Sequence, residues 1–366
     1  MNNIFIRKFL LLPILLCTCL GVNHSFSQTP KYSNEFLSFG VGARGLGMSG
    51  AFASVADDAT AGFWNPSGLV KIEDNIQISL MYTDYFAGLA AYNFGAIAFN
   101  LDEKSALAFS FIRFGIDDIP DTSELIDVDG NFNYDRIRSF SAADNAFFIS
   151  YARLLNDNLS LGVNTKIIRR TAGSFAGAWG FGLDAGLQYR YNAWRFALVG
   201  KDITTTFNAW SYDLDDRMRE VFTLTGNTIP ENSLEITLPR IILGASRNFL
   251  VAEKFGVLAS ADLIVTTDGK RNTLIKGDPF SIEPALGLEL HYNNMIFLRT
   301  GVGNYQQYTN TEEEKTSSVQ LNMGIGVVIR DRLVIDYALT DVGDNSIALY
   351  SNIFSLRFNI NRSDRD

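Results

Sequence analysis

The stretch Leu159–Ile168, "LSLGVNTKII", alternates apolar and polar side chains with a period of two. Successive side chains of a β-strand point to opposite faces, so the pattern predicts a strand that separates an apolar from a polar environment. The stretches Leu286–Tyr292, "LGLELHY", and Arg332–Asp341, "RLVIDYALTD", follow the same rule. No helical periodicity of comparable strength follows residue 75, and we therefore expect an all-β protein.

The same alternation, followed along the chain, predicts fourteen strands, most of them 9–13 residues long. Strands of soluble globular proteins average about 5–6 residues, whereas a tilted strand needs about 9–11 residues to cross a membrane. The lengths favour a membrane barrel. The predicted strands are Asn75–Thr83, Ala90–Leu101, Ser105–Ile116, Asp144–Leu155, Asn158–Arg170, Trp179–Arg190, Trp194–Asp202, Thr237–Phe249, Lys254–Thr267, Phe280–Tyr292, Met295–Asn304, Ser317–Ile329, Arg332–Thr340 and Ser351–Ile360.

The connections between these strands alternate in length. The even-numbered ones are short, such as Asn156–Asp157 and Asn293–Asn294, while the odd-numbered ones reach the lengths of Asp117–Ala143 and Ile203–Ile236. Up-and-down barrels of outer membranes have short periplasmic turns and long outer loops. The sequence therefore predicts a 14-stranded antiparallel transmembrane outer-membrane β-barrel. Its even strand number is expected to place both termini in the periplasm and the long loops outside the cell.

Residues 1–27 have the features of a secretory signal peptide. Arg7 and Lys8 precede the apolar run Phe9–Gly21, and small residues precede an expected cleavage site before Gln28. The apolar run is too short to span a bilayer as a helix. We therefore expect the mature protein to begin near residue 28.

The mature chain excludes several functional classes. Cys17 and Cys19 lie in the signal peptide, so His291 is left as the only strong zinc-ligating side chain besides carboxylates. Once the two basic residues of the peptide are removed, 29 basic residues face 40 acidic ones, a net charge of −11 that argues against nucleic-acid binding. The stretch Asp127–Asp135, "DVDGNFNYD", lacks the terminal acidic residues of a calcium loop. Nucleotide-binding and nucleophile motifs are missing, and we predict no cofactor, no metal and no enzymatic activity.

The stretch Gly47–Leu69, "GMSGAFASVADDATAGFWNPSGL", is rich in small residues and lies before the first strand. Fourteen strands enclose a lumen wider than wall side chains alone can fill. We therefore predict an N-terminal plug in residues 28–73, a barrel in residues 74–361 and a polar tail in residues 362–366. The residues expected to shape the plug are Gly47, Gly50, Asp57, Asp58, Asn65, Pro66 and Gly68.

Two stretches resemble a known family. Phe36–Leu69, "FLSFGVGARGLGMSGAFASVADDATAGFWNPSGL", looks like the N-terminal segment of the PorV/PorQ family within the larger FadL-like barrels, and Gly180–Arg190, "GFGLDAGLQYR", is similar to one of that family's strands. The chain departs from the pattern at its end, "FNINRSDRD", where a polar tail replaces a terminal aromatic residue. The resemblance implies a Bacteroidetes outer-membrane barrel of the type IX secretion system, which serves protein transport.

The expected function follows from this resemblance. Such barrels are thought to bind the C-terminal signal domain of a secreted cargo protein and carry it away from the giant translocon barrel, or to act as accessory translocon subunits. Outer-membrane lipid and lipopolysaccharide are the other implied partners. The aromatics Phe207, Trp210 and Tyr212 in the long loop Asp202–Ile236 are candidate anchors for cargo. They could equally pack within the loop or on the barrel rim.

Two alternatives stay open. A FadL-like transporter of hydrophobic small molecules needs an apolar pocket inside the barrel and an opening in the wall. A structural scaffold for gliding motility or adhesion would share the fold and differ only in its partner. The polar inner faces of several predicted strands argue mildly against the transporter.

Overall fold

The computed structural model describes residues 33–125, 131–309, 315–342 and 350–361. The predicted signal peptide, the polar tail and part of the Asp127–Asp135 stretch lie outside them. The described residues contain sixteen β-segments. They are β1 Ile76–Tyr85, β2 Ala90–Asp102, β3 Ser105–Asp121, β4 Arg138–Asn156, β5 Leu159–Ala172, β6 Ala176–Tyr191, β7 Trp194–Lys201, β8 Thr206–Tyr212, β9 Ser233–Thr237, β10 Arg240–Ala252, β11 Phe255–Thr266, β12 Ser281–Tyr292, β13 Ile296–Thr309, β14 Lys315–Ile329, β15 Leu333–Val342 and β16 Ser351–Ile360.

The sheet closes on itself. β1 is antiparallel to β2 on one side and to β16 on the other, with Ile76 opposite Ile360 and Asp84 opposite Asn352. β6 pairs with β7 through Ala185–Tyr191 and with β8 through Ala176–Phe181, so β7 and β8 are consecutive parts of one wall strand. β9 and β10 pair with β8 and β7 and form the next wall strand. The wall is therefore a closed antiparallel barrel of fourteen strands, and the predicted fold class is confirmed.

The wall strands β7/β8 and β9/β10 differ from the predicted ones. The connection Ile203–Ile236 was expected to be a loop, but β8 and β9 extend the wall through part of it. Residues 202–205 separate β7 from β8, and only residues 238–239 separate β9 from β10. The two extra residues make an irregularity at which Asp202 and Thr205 have positive φ angles of 57° and 60°. The alternation "TFNAWSY" of β8 carries the period of two that the prediction overlooked.

The barrel has an apolar outer surface and a mixed inner one. On β1, Leu80 and Tyr82 are 46% and 51% exposed, whereas Gln77, Ser79 and Thr83, at the alternate positions of the strand, are buried inside. Exposed leucine, isoleucine, valine and phenylalanine recur on the outward positions of the other strands. An outer surface of this kind matches hydrocarbon rather than water, since transmembrane barrels alternate apolar outward and polar inward residues. Among the described residues, none of the helices has the length and hydropathy needed to cross a membrane.

Short helices flank the wall strands. α1 spans Ala43–Gly47, α2 spans Ala61–Trp64 and α3 spans Asp216–Leu224, and the 3₁₀ helices are Glu35–Leu37, Pro66–Lys71, Phe86–Gly88 and Tyr134–Arg136. The Asp215 carboxylate begins α3 by accepting a 2.7 Å hydrogen bond from the Met218 N–H. α1 ends shortly before Gly50, whose φ of +74° turns the chain.

The outward position of Leu80 yields a test of the membrane-facing surface. Leu80 lies at the middle of the ten-residue β1, so Leu80→Arg puts a guanidinium at the bilayer midplane. We expect this substitution to destabilise the folded barrel in bilayers by about 2–4 kcal/mol. Leu101→Arg, near the end of β2, should destabilise it by only about 0–1 kcal/mol. Urea titration in phospholipid vesicles measures both. Equal losses for the two variants would contradict the assigned depth.

Candidate functional site

The N-terminal segment, residues 33–72, lies against inward-facing side chains of the wall. The Ala43 N–H donates a 2.8 Å hydrogen bond to Ser355 Oγ of β16, and Asn322 Nδ2 of β14 donates a 2.9 Å bond to the Leu46 carbonyl. Gln188 Nε2 of β6 donates to the Ala53 carbonyl at 3.1 Å. These contacts spread the segment over distant strands, and most of its side chains are buried. The candidate functional site is therefore the lumen together with this segment.

Glycines in the wall make room for the segment. A Cβ added to Gly162 of β5 would lie 2.2 Å from the Ser67 backbone nitrogen, and one added to Gly186 of β6 would lie 2.1 Å from Asn65 Oδ1. A Cβ on Gly301 of β13 would lie 2.3 Å from the Met48 carbonyl carbon. Such distances are far shorter than real contacts. The segment therefore packs against the wall at positions where only glycine leaves enough space. One of them, Gly186, belongs to the "GFGLDAGLQYR" stretch.

The predicted plug residues with structural roles fall at turns and close approaches. The Asn65 side chain accepts a 3.2 Å hydrogen bond from the Ser67 N–H, and Pro66 begins the 3₁₀ helix that leads towards β1. A Cβ on Gly68 would lie 2.1 Å from the Ala56 carbonyl oxygen. Gly47 lies at the end of α1, where an added Cβ would lie 3.3 Å from Gly324 Cα of β14. Residues Asn65 to Gly68 thus pack in the lumen where the chain approaches the barrel wall.

An ion-pair network attaches the segment to β12–β15. Arg44 Nε lies 2.9 Å from Glu289 Oε2 of β12, and Arg44 Nη1 lies 2.6 Å from Asp57 Oδ1. Arg299 of β13 lies 2.6 Å from Glu289 and 2.6 Å from Asp336 of β15. The wall carboxylates are almost completely buried. Since removal of one partner leaves a buried charge uncompensated, the network holds the segment in one position.

Asp58 forms the second ionic attachment of the segment. Its Oδ2 lies 2.7 Å from Arg357 Nη1 of β16, and its Oδ1 accepts a 2.9 Å hydrogen bond from the Thr60 N–H. Burial by itself raises the pKa of Asp58, but the guanidiniums of Arg357 and Arg44 and the hydrogen bonds from Thr60 outweigh it and hold the pKa below the ordinary 3.8. The carboxylate is therefore charged at neutral pH. Its ionic contribution to the segment's attachment is complete above 3.8 and is lost as the pH falls through the lowered pKa.

A separate charge cluster lies at the irregularity between β7 and β8. Lys166 Nζ of β5 lies 2.8 Å from Asp184 Oδ1 of β6 and is hydrogen-bonded to Asp202. Arg240 Nη2 of β10 lies 4.0 Å from Asp202 Oδ2. Lys166 and both aspartates are almost fully buried. The irregular part of the wall is thus lined with charges. Like Glu289 and Asp336 in the first network, Asp184 and Lys166 are paired with opposite charges on the inner face of the wall.

The inner face of β1–β4 is largely apolar, although Gln77, Ser79, Ser110 and Ser150 are buried among its apolar side chains. The apolar inward side chains of β1–β5 form one buried hydrophobic cluster with residues of the segment and with Leu258, Ala338 and Ile353 of three other strands. Small and branched side chains dominate the part of this cluster on β1–β5, which we call the apolar lane. Its wall residues are Met81, Tyr85, Ala90, Tyr92, Phe94, Ala96, Ala98, Ala106, Ala108, Ile112, Ala146, Phe148, Ala152 and Ile168.

Four rings form an aromatic cluster at the loop end of the apolar lane. The ring of Phe39, from the segment, stacks on Tyr85 of β1 at a centroid distance of 5.0 Å and an angle of 26°. It meets Tyr92 of β2 edge-on at 5.8 Å and 90°, and Phe114 of β3 at 5.4 Å and 55°. Tyr92 is fully buried, while Phe39 and Phe114 are half-buried. Offset and edge-to-face arrangements at these distances are the favourable ones for aromatic rings.

The three aromatics proposed as cargo anchors lie on β8 and face in different directions. Phe207 is 41% exposed on the outer surface of the wall. Trp210, on the inner face, donates a 2.7 Å hydrogen bond from Nε1 to Glu235 Oε2, and Arg170 lies over its ring at 5.0 Å. Tyr212 stacks on Trp210 at 6.1 Å. The structure brings Trp210 and Tyr212 together and leaves Phe207 apart, and the role in cargo binding stays a prediction.

Among the described residues, no group of three or more histidine, cysteine, aspartate or glutamate side chains is arranged so that it could hold a metal ion. His291 lies on the inward side of β12, near Phe297 at a ring distance of 6.1 Å.

Comparisons with known proteins identify the fold. The CymD monoaromatic hydrocarbon channel aligns over 88% of this chain and 98% of its own length, with 14% identity and a TM-score of 0.55. The fold is FadL-like. The toluene transporter TodX of Pseudomonas putida aligns over 88% of this chain and 98% of its own length, with 12% identity and a TM-score of 0.54. Neither the protein-family models nor the curated proteins include a match to the sequence.

Sequence reasoning missed the aromatic cluster and the role of Arg44. Phe39 lies 46 residues before Tyr85 in the chain, and Arg44 lies 245 residues before Glu289. Inward-facing glycines and carboxylates on neighbouring strands were the available signal, because they mark where another segment approaches the wall. The partner of each such position depends on the path of the segment, which period-two patterning does not describe.

Wall glycines provide the test of how the segment is seated. Gly162→Ala forces the backbone at Pro66 and Ser67 to shift, and overpacking of this kind costs about 1–3 kcal/mol. We expect amide exchange of residues 61–72 to rise about tenfold. Gly95→Ala is the matched control, because its Cβ would lie 3.6 Å from the nearest atom, Leu80 Cδ2. Unchanged exchange in Gly162→Ala would contradict the seating described here.

Proposed function

We propose that the protein is an outer-membrane channel for small hydrophobic molecules, in which the N-terminal segment acts as the plug. The observation that carries the proposal is the apolar lane, with its aromatic cluster at the end where the long connections lie. The fold shared with CymD and TodX, which are named as a monoaromatic hydrocarbon channel and a toluene transporter, supports it. We further propose that the termini face the periplasm and that the long connections face the outside.

The proposed route follows the interface between the segment and β1–β4. Half-buried Phe39 and Phe114 offer apolar contact at the loop end. Alanines such as Ala98, Ala106 and Ala152 line the lane near the opposite end and leave little bulk in the way. The segment contacts this side mainly through apolar groups, whose association has no directional requirement, besides hydrogen bonds from the Ala59 N–H to Gln77 Oε1 and from the Gly42 N–H to Met81 Sδ. A shift of the segment would therefore open a dry path without breaking ion pairs on the same side.

The irregularity between β7 and β8 is a poor lateral exit for an apolar molecule. It is the wall feature that comes nearest to the opening expected of a transporter. Lys166, Asp184, Asp202 and Arg240 lie at it, however. An apolar molecule that passed beside these buried charges would lose the apolar contacts that it makes in the lane. We therefore assign transport to the lane.

Blocking the lane tests this function. Ala108→Phe places a phenyl group in the lane, whereas Ala197→Phe makes the same change on the inward side of β7. We expect uptake of radiolabelled toluene by cells that produce Ala108→Phe to fall towards that of cells without the barrel, and Ala197→Phe to retain most of it. Heat-modified gel mobility verifies that each variant folds. Equal uptake by cells with and without the wild-type barrel would refute the channel.

A second proposal is binding of type IX cargo at the loop end, by a barrel that meets the giant translocon barrel. Besides the resemblance of Phe36–Leu69, exposed apolar side chains on the ordered β8–α3–β9 region favour it. Leu224 and Leu234 are 78% and 63% exposed. Apolar side chains outside a core are frequent anchors for protein partners.

Substitution of the aromatic pair tests cargo binding. We expect Trp210→Ala with Tyr212→Ala to lower the recovery of proteins carrying type IX signal domains in a detergent pull-down, without lowering barrel yield. Trp179→Ala is the control, because Trp179 is also a wall tryptophan beneath an arginine, Arg169, at 5.1 Å. Mass spectrometry quantifies the recovered proteins. Equal recovery with both variants would remove the aromatic pair from the proposal.

A further inference from the structure

We infer that the aromatic cluster is a binding site for one six-membered aromatic ring that carries a neutral hydrogen-bonding substituent, as in phenol, and that the Phe39 side chain occupies the ring position in the structure. The inference rests on the proposed channel function and names its substrate class. Two observations carry it, the packing of Phe39 and a pair of buried hydroxyl groups.

Phe39 packs as a bound aromatic molecule would. Its ring is contacted by three rings from three successive wall strands, with centroid distances of 5.0, 5.8 and 5.4 Å. The three wall rings also contact one another through Tyr92, which lies 6.0 Å from Tyr85 and 6.2 Å from Phe114. These three rings therefore form a preformed cage on the wall, and only the fourth ring comes from the segment.

The backbone around Phe39 is built from residues with few steric limits. Gly40 follows it with a φ of +85°, and Gly42 has a φ of +79°. Residues 38–42 lie between the 3₁₀ helix Glu35–Leu37 and α1, outside any helix. Glycine reaches both left- and right-handed backbone regions at little cost. The proposed departure of Phe39 is a rotation at residues 38–40, during which α1 keeps its ion pairs and the Val41 carbonyl keeps its 2.8 Å hydrogen bond from Trp64 Nε1. The vacated space has the shape of a phenyl ring.

Two buried hydroxyls border the cage without hydrogen-bond partners. Tyr92 Oη and Thr83 Oγ1 belong to side chains that are fully buried, and neither atom has a partner among the described residues. Thr83 and Tyr92 lie directly opposite each other on β1 and β2, and both point inward. Buried hydroxyls are normally paired, because an unpaired one loses its bonds to water without replacement. The phenyl group of Phe39 offers no such partner, whereas a ring with a hydroxyl or carbonyl substituent does.

The chemistry of the cage selects a neutral ligand. Phe39, Tyr85, Tyr92, Phe114 and Thr83 carry no charge at neutral pH. A carboxylate placed among them would lose its hydration and would be repelled by Asp341, whose charge acts on Tyr85. A single aromatic ring matches the volume that one phenyl side chain fills.

Calorimetry of the full-length mature barrel in detergent micelles tests the inference, with phenol and toluene as probes and empty micelles as the blank. We expect phenol to bind more tightly than toluene to the wild type. Tyr92→Phe removes only the hydroxyl, so it should weaken phenol binding about fivefold and leave toluene binding unchanged. Phe39→Ala removes the internal occupant and should tighten binding of both probes about tenfold.

Phe63→Ala is the matched control, because it removes a phenyl group from the same segment outside the cage. It should leave both affinities unchanged. The inference is overturned if Tyr92→Phe weakens both probes equally, or if Phe39→Ala changes affinity no more than Phe63→Ala does. Failure of this site with toluene uptake intact leaves the channel function standing. Phenol binding that depends on Tyr92, in a barrel without uptake, would uphold the site and refute the channel.

Discussion

Closure of the hydrogen-bonded ladder is the constraint on which this structure depends. Within a bilayer no water is present to pair with backbone N–H and C=O groups, so each strand needs a neighbour on both sides. Pairing of β1 with β16, from Ile76 opposite Ile360 to Asp84 opposite Asn352, supplies the last of these neighbours. Closure gives each strand one face towards lipid and one towards the lumen. It also creates an interior of fourteen-strand width that something must fill.

The N-terminal segment contacts the inner wall asymmetrically. Arg44 and Asp58 bind it to β12 and β16 through charged groups at defined distances, and wall glycines accept its backbone closely on β5, β6 and β13. On β1–β4 the contacts are mainly apolar, with hydrogen bonds to Gln77 and Met81 besides. The two sides therefore differ in how they respond to a displacement. Loss of an ionic contact leaves a buried charge, while an apolar contact is replaced by any other apolar group, including a ligand.

Periodicity predicted the wall because lipid imposes the same rule on every strand. The alternation in Leu159–Ile168 required no knowledge of its neighbours, and the strand count and the short turns followed from repetition of that rule. The irregularity at residues 202–205 escaped prediction because its extra residues interrupt the period. The lumen contacts escaped because they join positions such as Arg44 and Glu289 that are 245 residues apart. The resemblance of Phe36–Leu69 led to the FadL-like fold, and fold alone does not choose between cargo proteins and small molecules.

The lumen bears differently on the two proposed functions. A barrel that only holds a protein partner on its outer loops needs a filled interior, and ion pairs with polar side chains are sufficient for that purpose. Inward alanines on β2–β4, beside aromatic rings and a tyrosine hydroxyl that has no partner among the described residues, contribute nothing to such a role. Buried hydroxyls without partners weaken a structure, and wall alanines forgo packing that larger side chains would provide. Both features are explained together if a small apolar molecule with one polar group passes along β1–β4.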